Sequence, residues 1–452
     1  MKLSPSLIIS WVIALVLTLT LFNQSKWTDR DVLKHDMYVY YSYLPATFIY
    51  KDLSFEFIND LPPDDKREIW TLQAPNGNKV QKMTMGMAMM YVPFFGMAHL
   101  TAKLQGLPAD GYSWIYHFFM ALSALFFSIA AIFIQRKLLL KYFEEKVVAF
   151  TLLAIALGTN YYYYTTSEGP MSHIYNFFLI SLFVWQTVKW LEAFQWKNAF
   201  WMGISIGLII LIRPINALVI LIPLFYSVRS FAEFALRIKD IFTHYYQVLL
   251  MLFLFSIVII PQLLYWHMNT GDWIYYSYSD EGFFFNDPKI LEGLFSYRKG
   301  WLIYAPIMSF SVMGLFVLWM RSKASKFKIA ILLYFIVHTY IIYSWWCWWY
   351  GGSFGSRPMI DATAIMSIPF ASFLASSFKW KFTSWLSKIL IIGFVGLNLF
   401  QSMQYRRGII HWDSMTKETY FLILGSPNYP EGYAESLNTP DYDAAKKGDR
   451  NY

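Results

Sequence analysis

Residues 28–51, TDRDVLKHDMYVYYSYLPATFIYK, follow directly on the first apolar run and bring together acids, a histidine and five tyrosines. The segment is too polar to cross a bilayer, and its density of tyrosine suits the boundary between lipid and water. It therefore reads as chain lying at a membrane surface. Asp36, at its centre, is the leading candidate for a catalytic carboxylate.

Moving outward, the rest of the chain supplies the membrane segments. The 452 residues are 57% hydrophobic and 20% aromatic, and 15% are charged, against roughly 25% in soluble domains. Apolar runs recur from end to end, which predicts an all-α polytopic membrane protein without a separate soluble domain. The first run, 7–22, has no small-x-small cleavage site before the polar NQSK, so it reads as an uncleaved anchor. A loop follows over 23–82, expected to carry membrane-parallel helices. Residues 83–100 are apolar around Pro93 and fit either a short span or a segment that dips in and returns; the dip is the reading adopted. Later runs lie at 113–134, 147–162, 172–189, 200–212, 217–228, 246–265, 301–320, 329–345, 359–378 and 389–403. These amount to about eleven transmembrane helices, some short or broken. Residues 1–403 form the transmembrane domain and 404–452 a short outer-face tail. The pieces flanking Arg213-Pro214 are too short to cross separately at about 1.5 Å per residue. They read as two tilted helices that meet at Arg213 and enter and leave on one side.

The net charge of +8 raises the possibility of nucleic acid, but in such a chain the distribution of charge matters more than its sum. Lys2 and the connections 136–146, 189–197, 229–240, 321–328 and 379–388 hold seventeen Lys and Arg against five acids. The remainder keeps twenty basic and twenty-four acidic residues. By the positive-inside rule the basic set is cytoplasmic. The opposite face collects loop 23–82, 163–171, Arg213, 266–300, 345–357 and the tail. If 83–100 spans fully, the rule holds only with the Asp36 loop in the cytoplasm. The single cysteine, Cys347, cannot form an intrachain disulfide.

Thr28-x-x-Asp31 reads as a capping box opening a helix, which puts Tyr40 one turn beyond Asp36 on the same face. The alternative for the tyrosines is an amphipathic surface helix at headgroup level. A carboxylate among so many rings is partly desolvated and suits a proton acceptor. Glu168 and His173, in TTSEGPMSHIYNFF, read either as an ordinary loop acid and helix-start histidine or as a second carboxylate facing Asp36 with a histidine inside. His35, Asp36, Glu168 and His173 could together hold a divalent metal, although their spacing does not demand one. Arg213 interrupts an uncharged run from 200 to 228, where a cation either snorkels to the interface or marks a site. Arg298 and Lys299 stand at the entry of a span, placed for phosphate or for lipid headgroups. WWCWWYGGSFGSRPMID, 345–361, combines a tryptophan run suited to an interfacial belt with a glycine-rich loop whose open amides and Arg357 could cradle an anion. Asp361 follows as a partner for Arg357 or Arg213. The chain has no Walker-type phosphate loop, dinucleotide fingerprint, HExxH or GxSxG. Activation must then come with the substrate, or from a gradient.

The first span, the long outer loop with Asp36 and Tyr40, the Glu168 and His173 pair and the late Gly/Arg loop together resemble the GT-C superfamily of glycosyltransferases. Within it the layout is similar to the protein O-mannosyltransferase and lipid A aminoarabinose transferase branch. The resemblance implies transfer of a hexose or pentose from a polyprenyl-phosphate-linked donor to a hydroxyl of a glycan, lipid or protein acceptor. The reaction would be an inverting single displacement on the periplasmic or exterior face of the cell membrane, with membrane lipids and no nucleic acid as further partners. It assigns the catalytic role to Asp36, with Glu168 as the second acid. Arg213, Arg298, Lys299 and Arg357 would hold donor phosphate, and His35, Tyr40, His173 and Asp361 would contact substrate. No cofactor is firmly implied. The alternatives are a transporter or flippase of a lipid-linked saccharide, and an O-antigen polymerase or ligase.

Overall fold

Pro5 opens helix α1 (Pro5–Gln24), where its missing N–H goes unneeded, and Ser25 closes it in the left-handed region at φ 47°. This computed structural model describes residues 4–64, 67–320 and 323–451. The expected capping box at Thr28 does not form, because the Thr28 hydroxyl donates back to Ser25 O at 2.9 Å. Helix α2 (Asp36–Pro45) begins eight residues later, with Asp36 in its first turn, and runs on as a π turn over Ala46–Tyr50. Residues 37–45 are all buried, so α2 is an internal strut and not an amphipathic surface helix. Its tyrosines are tied inward: Tyr41 donates to Gly111 O, and Tyr43 to Met83 O at 2.7 Å. The APNGNK turn makes a two-residue hairpin, β1 (Leu72–Gln73) against β2 (Lys79–Val80), with Leu72 opposite Val80.

Helix α3 (Gly86–Leu104) is continuous through Pro93. After it come α4 (Trp114–Leu140), α5 (Glu145–Gly158), the short α6 (Tyr161–Thr166), α7 (Ser172–Ala193) and α8 (Trp196–Ile212). Pro214 forbids a continuing α-helix at Arg213, which turns extended at φ −148°. A 3-10 turn over Pro214–Ile220 then leads into α9 (Leu221–Phe225). The exposed α10 (Phe231–Thr243) is capped at its start: Ser230 Oγ accepts from Glu233 N, and the Glu233 carboxylate accepts from Arg229 N, one residue before the cap. The chain continues through α11 (Tyr245–Thr270), α12 (Ile290–Phe295), α13 (Trp301–Tyr304), α14 (Ser309–Trp319), α15 (Lys328–Ser344), α16 (Met359–Ser377) and α17 (Lys381–Arg406). Two short helices, α18 (Lys417–Leu422) and α19 (Tyr442–Lys446), lie in the tail.

Seven helices among the described residues are long and apolar enough to cross a membrane. The expected total of about eleven also counted shorter segments; Trp196–Ile212, Pro214–Phe225 and Pro306–Trp319 are apolar but have fewer than eighteen residues.

Hydrogen bonds sort the bundle into two ends. At the basic end Arg136 Nε meets Ser6 Oγ at 2.7 Å, Lys141 pairs with Glu192 at 2.6 Å, and the Tyr142 and Tyr226 hydroxyls are 2.7 Å apart. At the other end Lys26 reaches Ser167 O at 3.0 Å and Gln81 N donates to the Tyr265 hydroxyl at 2.9 Å. Because Trp190 beside α8 and Tyr226 after α9 both lie at the basic end, α8 and the 214–225 segment rise to Arg213 and return. Helix α3 keeps both ends at the loop end: Thr84 donates to Leu211 O, and His99 is 2.7 Å from the Tyr116 hydroxyl. It neither runs to the basic end nor reverses within itself. Asp36, Arg213 and Arg357 therefore share one end of the molecule.

Candidate active site

The site is built where the first turn of α2, the Arg213 elbow, the start of α7 and the start of α16 converge. Asp361, in the first turn of α16, is 1% exposed and is held from three sides. His173 Nδ1 lies 3.0 Å from Oδ1, Asn216 Nδ2 donates to Oδ2 at 2.8 Å, and Arg213 Nε stands 3.5 Å from Oδ2. Arg213 also places Nη1 3.2 Å from His173 Nε2. A helix N-terminus is a favourable place for a carboxylate, and the paired cation makes its burial tolerable. Of the two partners expected for Asp361, the fold selects Arg213.

Arg357 turns instead to Asp36, with Nη2 3.6 Å from Oδ2. The Asp36 side chain keeps 29% of its surface exposed, and the Nε of Arg357 has no partner among the described residues. Burial opposes the charge on Arg357, yet Asp36, assisted by Tyr164, Tyr40 and Glu168, holds its pKa above the ordinary value. Tyr40 is buried within electrostatic reach of both arginines. Burial and then Asp36 push its hydroxyl pKa up, while Arg213 and Arg357 pull it down. The hydroxyl thus remains a neutral donor beside an open carboxylate.

Arg357 is delivered by the glycine-rich loop, whose shape depends on Gly355 at φ 61°. A Cβ there would lie 2.8 Å from Tyr304 Cβ. The loop does not offer the open amide nest expected of it. Gly351 N donates to Cys347 Sγ, Ser353 N to Trp412 O and Phe354 N to the Tyr164 hydroxyl. Nor do its tryptophans form an interfacial belt: Trp346, Trp348 and Trp349 are buried. Trp348 Nε1 donates to Arg450 O in the tail, which closes over them.

The remaining expected residues lie apart from this centre. Arg298 and Lys299 are 2% exposed; Arg298 donates to Asp413 O and Lys299 to Ser353 O, so both brace the loop and tail. Burial pushes the Lys299 pKa down to about 7 against the pull of Asp413. Glu168 accepts from the Tyr163 hydroxyl at 2.9 Å and faces a neighbouring cavity. The His35 side chain is 81% exposed and pairs with Glu68 at 3.1 Å, turned out of the centre by a backbone φ of 44°. His35, Asp36, Glu168 and His173 therefore do not gather as a metal-binding set. Among the described residues no three His, Cys, Asp or Glu side chains do.

Three participants went unnoticed in the sequence. Asn216 is one turn beyond Arg213 and could have been found as the polar residue of the RPIN elbow. Tyr278 lies within electrostatic reach of Tyr40, Arg213 and Asp36, and His338 of Asp361 and Arg213. Neither ring nitrogen of His338 has a partner among the described residues. These two come from distant loop and helix positions with no local signal.

No protein-family model matches the sequence, and no curated protein matches it. The fold is similar to the apo crystal structure of the Archaeoglobus fulgidus oligosaccharyltransferase, with a TM-score of 0.50 and 14% identity over 99% of this chain. A second structure of the archaeal oligosaccharyltransferase AglB, in complex with an inhibitory peptide and a dolichol-phosphate, aligns with a TM-score of 0.48 and 13% identity over 97% of this chain. The chain spans about three fifths of the length of these structures, 61% and 57%. Neither comes from the O-mannosyltransferase or aminoarabinose transferase branch.

Proposed function

We propose that the protein is a GT-C-type glycosyltransferase that moves a sugar from a polyprenyl-phosphate donor to an acceptor hydroxyl. Its site would lie on the outer face of the cell membrane, in a domain of about eleven spans. The fold shared with an oligosaccharyltransferase supports the class. The observation that carries the reading is the Asp36 to Arg357 pair, 3.6 Å apart and set beside Arg213 at the end of the bundle opposite the basic connections. A carboxylate and two arginines fit a reaction in which one oxygen loses a proton while another gains negative charge.

In this mechanism the donor phosphate draws Arg357 and Arg213 toward itself and leaves the Asp36 carboxylate free for the acceptor. The acceptor oxygen attacks the anomeric carbon as Asp36 takes its proton. The bond from that carbon to the phosphate oxygen breaks, and polyprenyl phosphate leaves with the electron pair. The arginines stabilise the charge that develops on the leaving oxygen, so no nucleotide is required. A single displacement inverts the anomeric centre. Asp361, His173 and Asn216 position Arg213.

The test is Asp36→Asn in purified full-length protein supplied with a polyprenyl-phosphate sugar. Transfer and release of polyprenyl phosphate should fall by about 10²–10⁴-fold, the usual worth of a general base, with unchanged thermal unfolding. Substantial retained turnover removes Asp36 as the base. Movement of intact donor between leaflets with no bond cleaved replaces the enzyme with a transporter.

A further inference from the structure

A cavity of about 320 Å³ opens beside the Asp36 centre, between the α1–α2 connection, the turn after α6 and the start of the tail. This is the lower end of the volume range for small-molecule sites. Met37 lines it, so it adjoins Asp36 through the chain, and the charge of Arg357 is felt by both Asp36 and Glu168. Its wall carries Lys26, Lys34 and Arg406 against Asp31 and Glu168.

These charges are unequally matched. Asp31 is shared by Lys34 at 2.5 Å and Lys26 at 4.0 Å, while Glu168 holds the Tyr163 hydroxyl. Arg406 faces the Gln24 side-chain amide and makes no ion pair with an acid among the described residues. One cation is thus in surplus, and the bound carboxylates retain lone pairs for hydroxyl donors. The rim adds Tyr405 and Trp412, the latter 51% exposed beside the charged wall. A large open aromatic side chain beside charged groups suits a ligand with an apolar ring face and polar edges.

We infer that this cavity binds an anionic saccharide, a sugar ring bearing a phosphate or carboxylate group. Calling it the acceptor rests on the transfer reaction proposed above; the binding itself does not. Trp412 stacks on the ring, Arg406 and Lys34 take the anionic group, and Glu168 and Asp31 accept from ring hydroxyls.

The test is equilibrium binding of glucose 6-phosphate, glucose and inorganic phosphate to the full chain without any donor. Glucose 6-phosphate should bind about tenfold more tightly than either of the others, a difference of about 1.4 kcal/mol. Trp412→Ala and Arg406→Met should each weaken it several-fold, with Lys34→Met as the substitute if Arg406→Met does not fold. Asp36→Asn should leave it unchanged. Equal binding of inorganic phosphate, or indifference to Trp412→Ala, overturns the proposal, as does loss of binding in Asp36→Asn alone, because the sugar would then occupy the reaction centre. No binding at all also overturns it, yet leaves the Asp36 transfer experiment standing.

Discussion

Two groups of cations gather at the same end of the bundle and do opposite things. Arg213 and Arg357 point side-chain N–H groups toward carboxylates at a partly open centre, and Arg357 keeps one such group without a partner among the described residues. Arg298, Lys299 and Arg450 are enclosed and directed at main-chain carbonyls, those of Asp413, Ser353 and Trp345, and Arg450 also reaches the Asp287 carboxylate at 3.3 Å. In sequence the two groups look alike, each a cation near the edge of an apolar run. They differ in their acceptors: loop carbonyls that no backbone N–H can reach recruit a buried cation as a brace. The pairing that marks the candidate site is that of Arg357 with Asp36, a carboxylate that keeps 29% of its side-chain surface exposed.

Substitution can break this contrast. Arg357→Met should lower kcat for sugar transfer by about 10²–10³, or about 2.7–4 kcal/mol of charge stabilisation, while folded protein persists; Arg213→Met should lower stability as well, because it strands the buried Asp361 carboxylate. Turnover assays beside thermal unfolding separate the two effects. Arg298→Met should do the reverse. It leaves Asp413 O without its cation, costs about 1–3 kcal/mol of stability, and spares kcat in molecules that remain folded. If Arg298→Met removes turnover without lowering the unfolding temperature, the division between site and brace fails.

A subtler change sharpens the boundary between the groups. Gly355→Ala puts a Cβ at φ 61° against Tyr304 and should cost about 1–2 kcal/mol. Because Gly355 precedes Arg357 by two residues, KM for the donor should rise as well. A separate effect is one of pH. Lys299 is held at about 7 in the fold against 10.5 unfolded, so forcing its charge costs stability fully below pH 7. That cost disappears as pH rises toward 10.5. The unfolding temperature of the wild type, relative to Lys299→Met, should therefore climb between pH 7 and 10; a flat difference would refute the burial of a charged lysine.

Much of the fold was legible because its signals are local. Apolar run length marks the helices, Arg213-Pro214 marks the elbow, and the basic connections mark one end. The surroundings of each polar side chain were less legible. Tyr41 is fixed by Gly111 and Trp348 by Arg450, partners 70 and 102 residues away. No window of sequence displays such contacts, so a buried strut resembled a surface helix and a roofed tryptophan run resembled a belt. The Thr28 motif misled for the opposite reason, since a nearer carbonyl at Ser25 outcompeted the helix for its hydroxyl. Glu168 and Asp36 looked like two faces of one cleft; Glu168 accepts from Tyr163 and lines the cavity that Met37 also lines.

The tail over the tryptophan loop also sets an order of events during biogenesis. Residues 407–450 follow the last long apolar helix, α17, and must reach the loop end before Arg450 can grip the carbonyls of Ser344 and Trp345. Until then the loop carrying Arg357 lacks its roof, however completely the helices have inserted. Insertion of the helices and closure of the loop are therefore separate milestones, and a chain stalled after α17 would keep the loop that carries Arg357 without the Arg450 contacts that roof it.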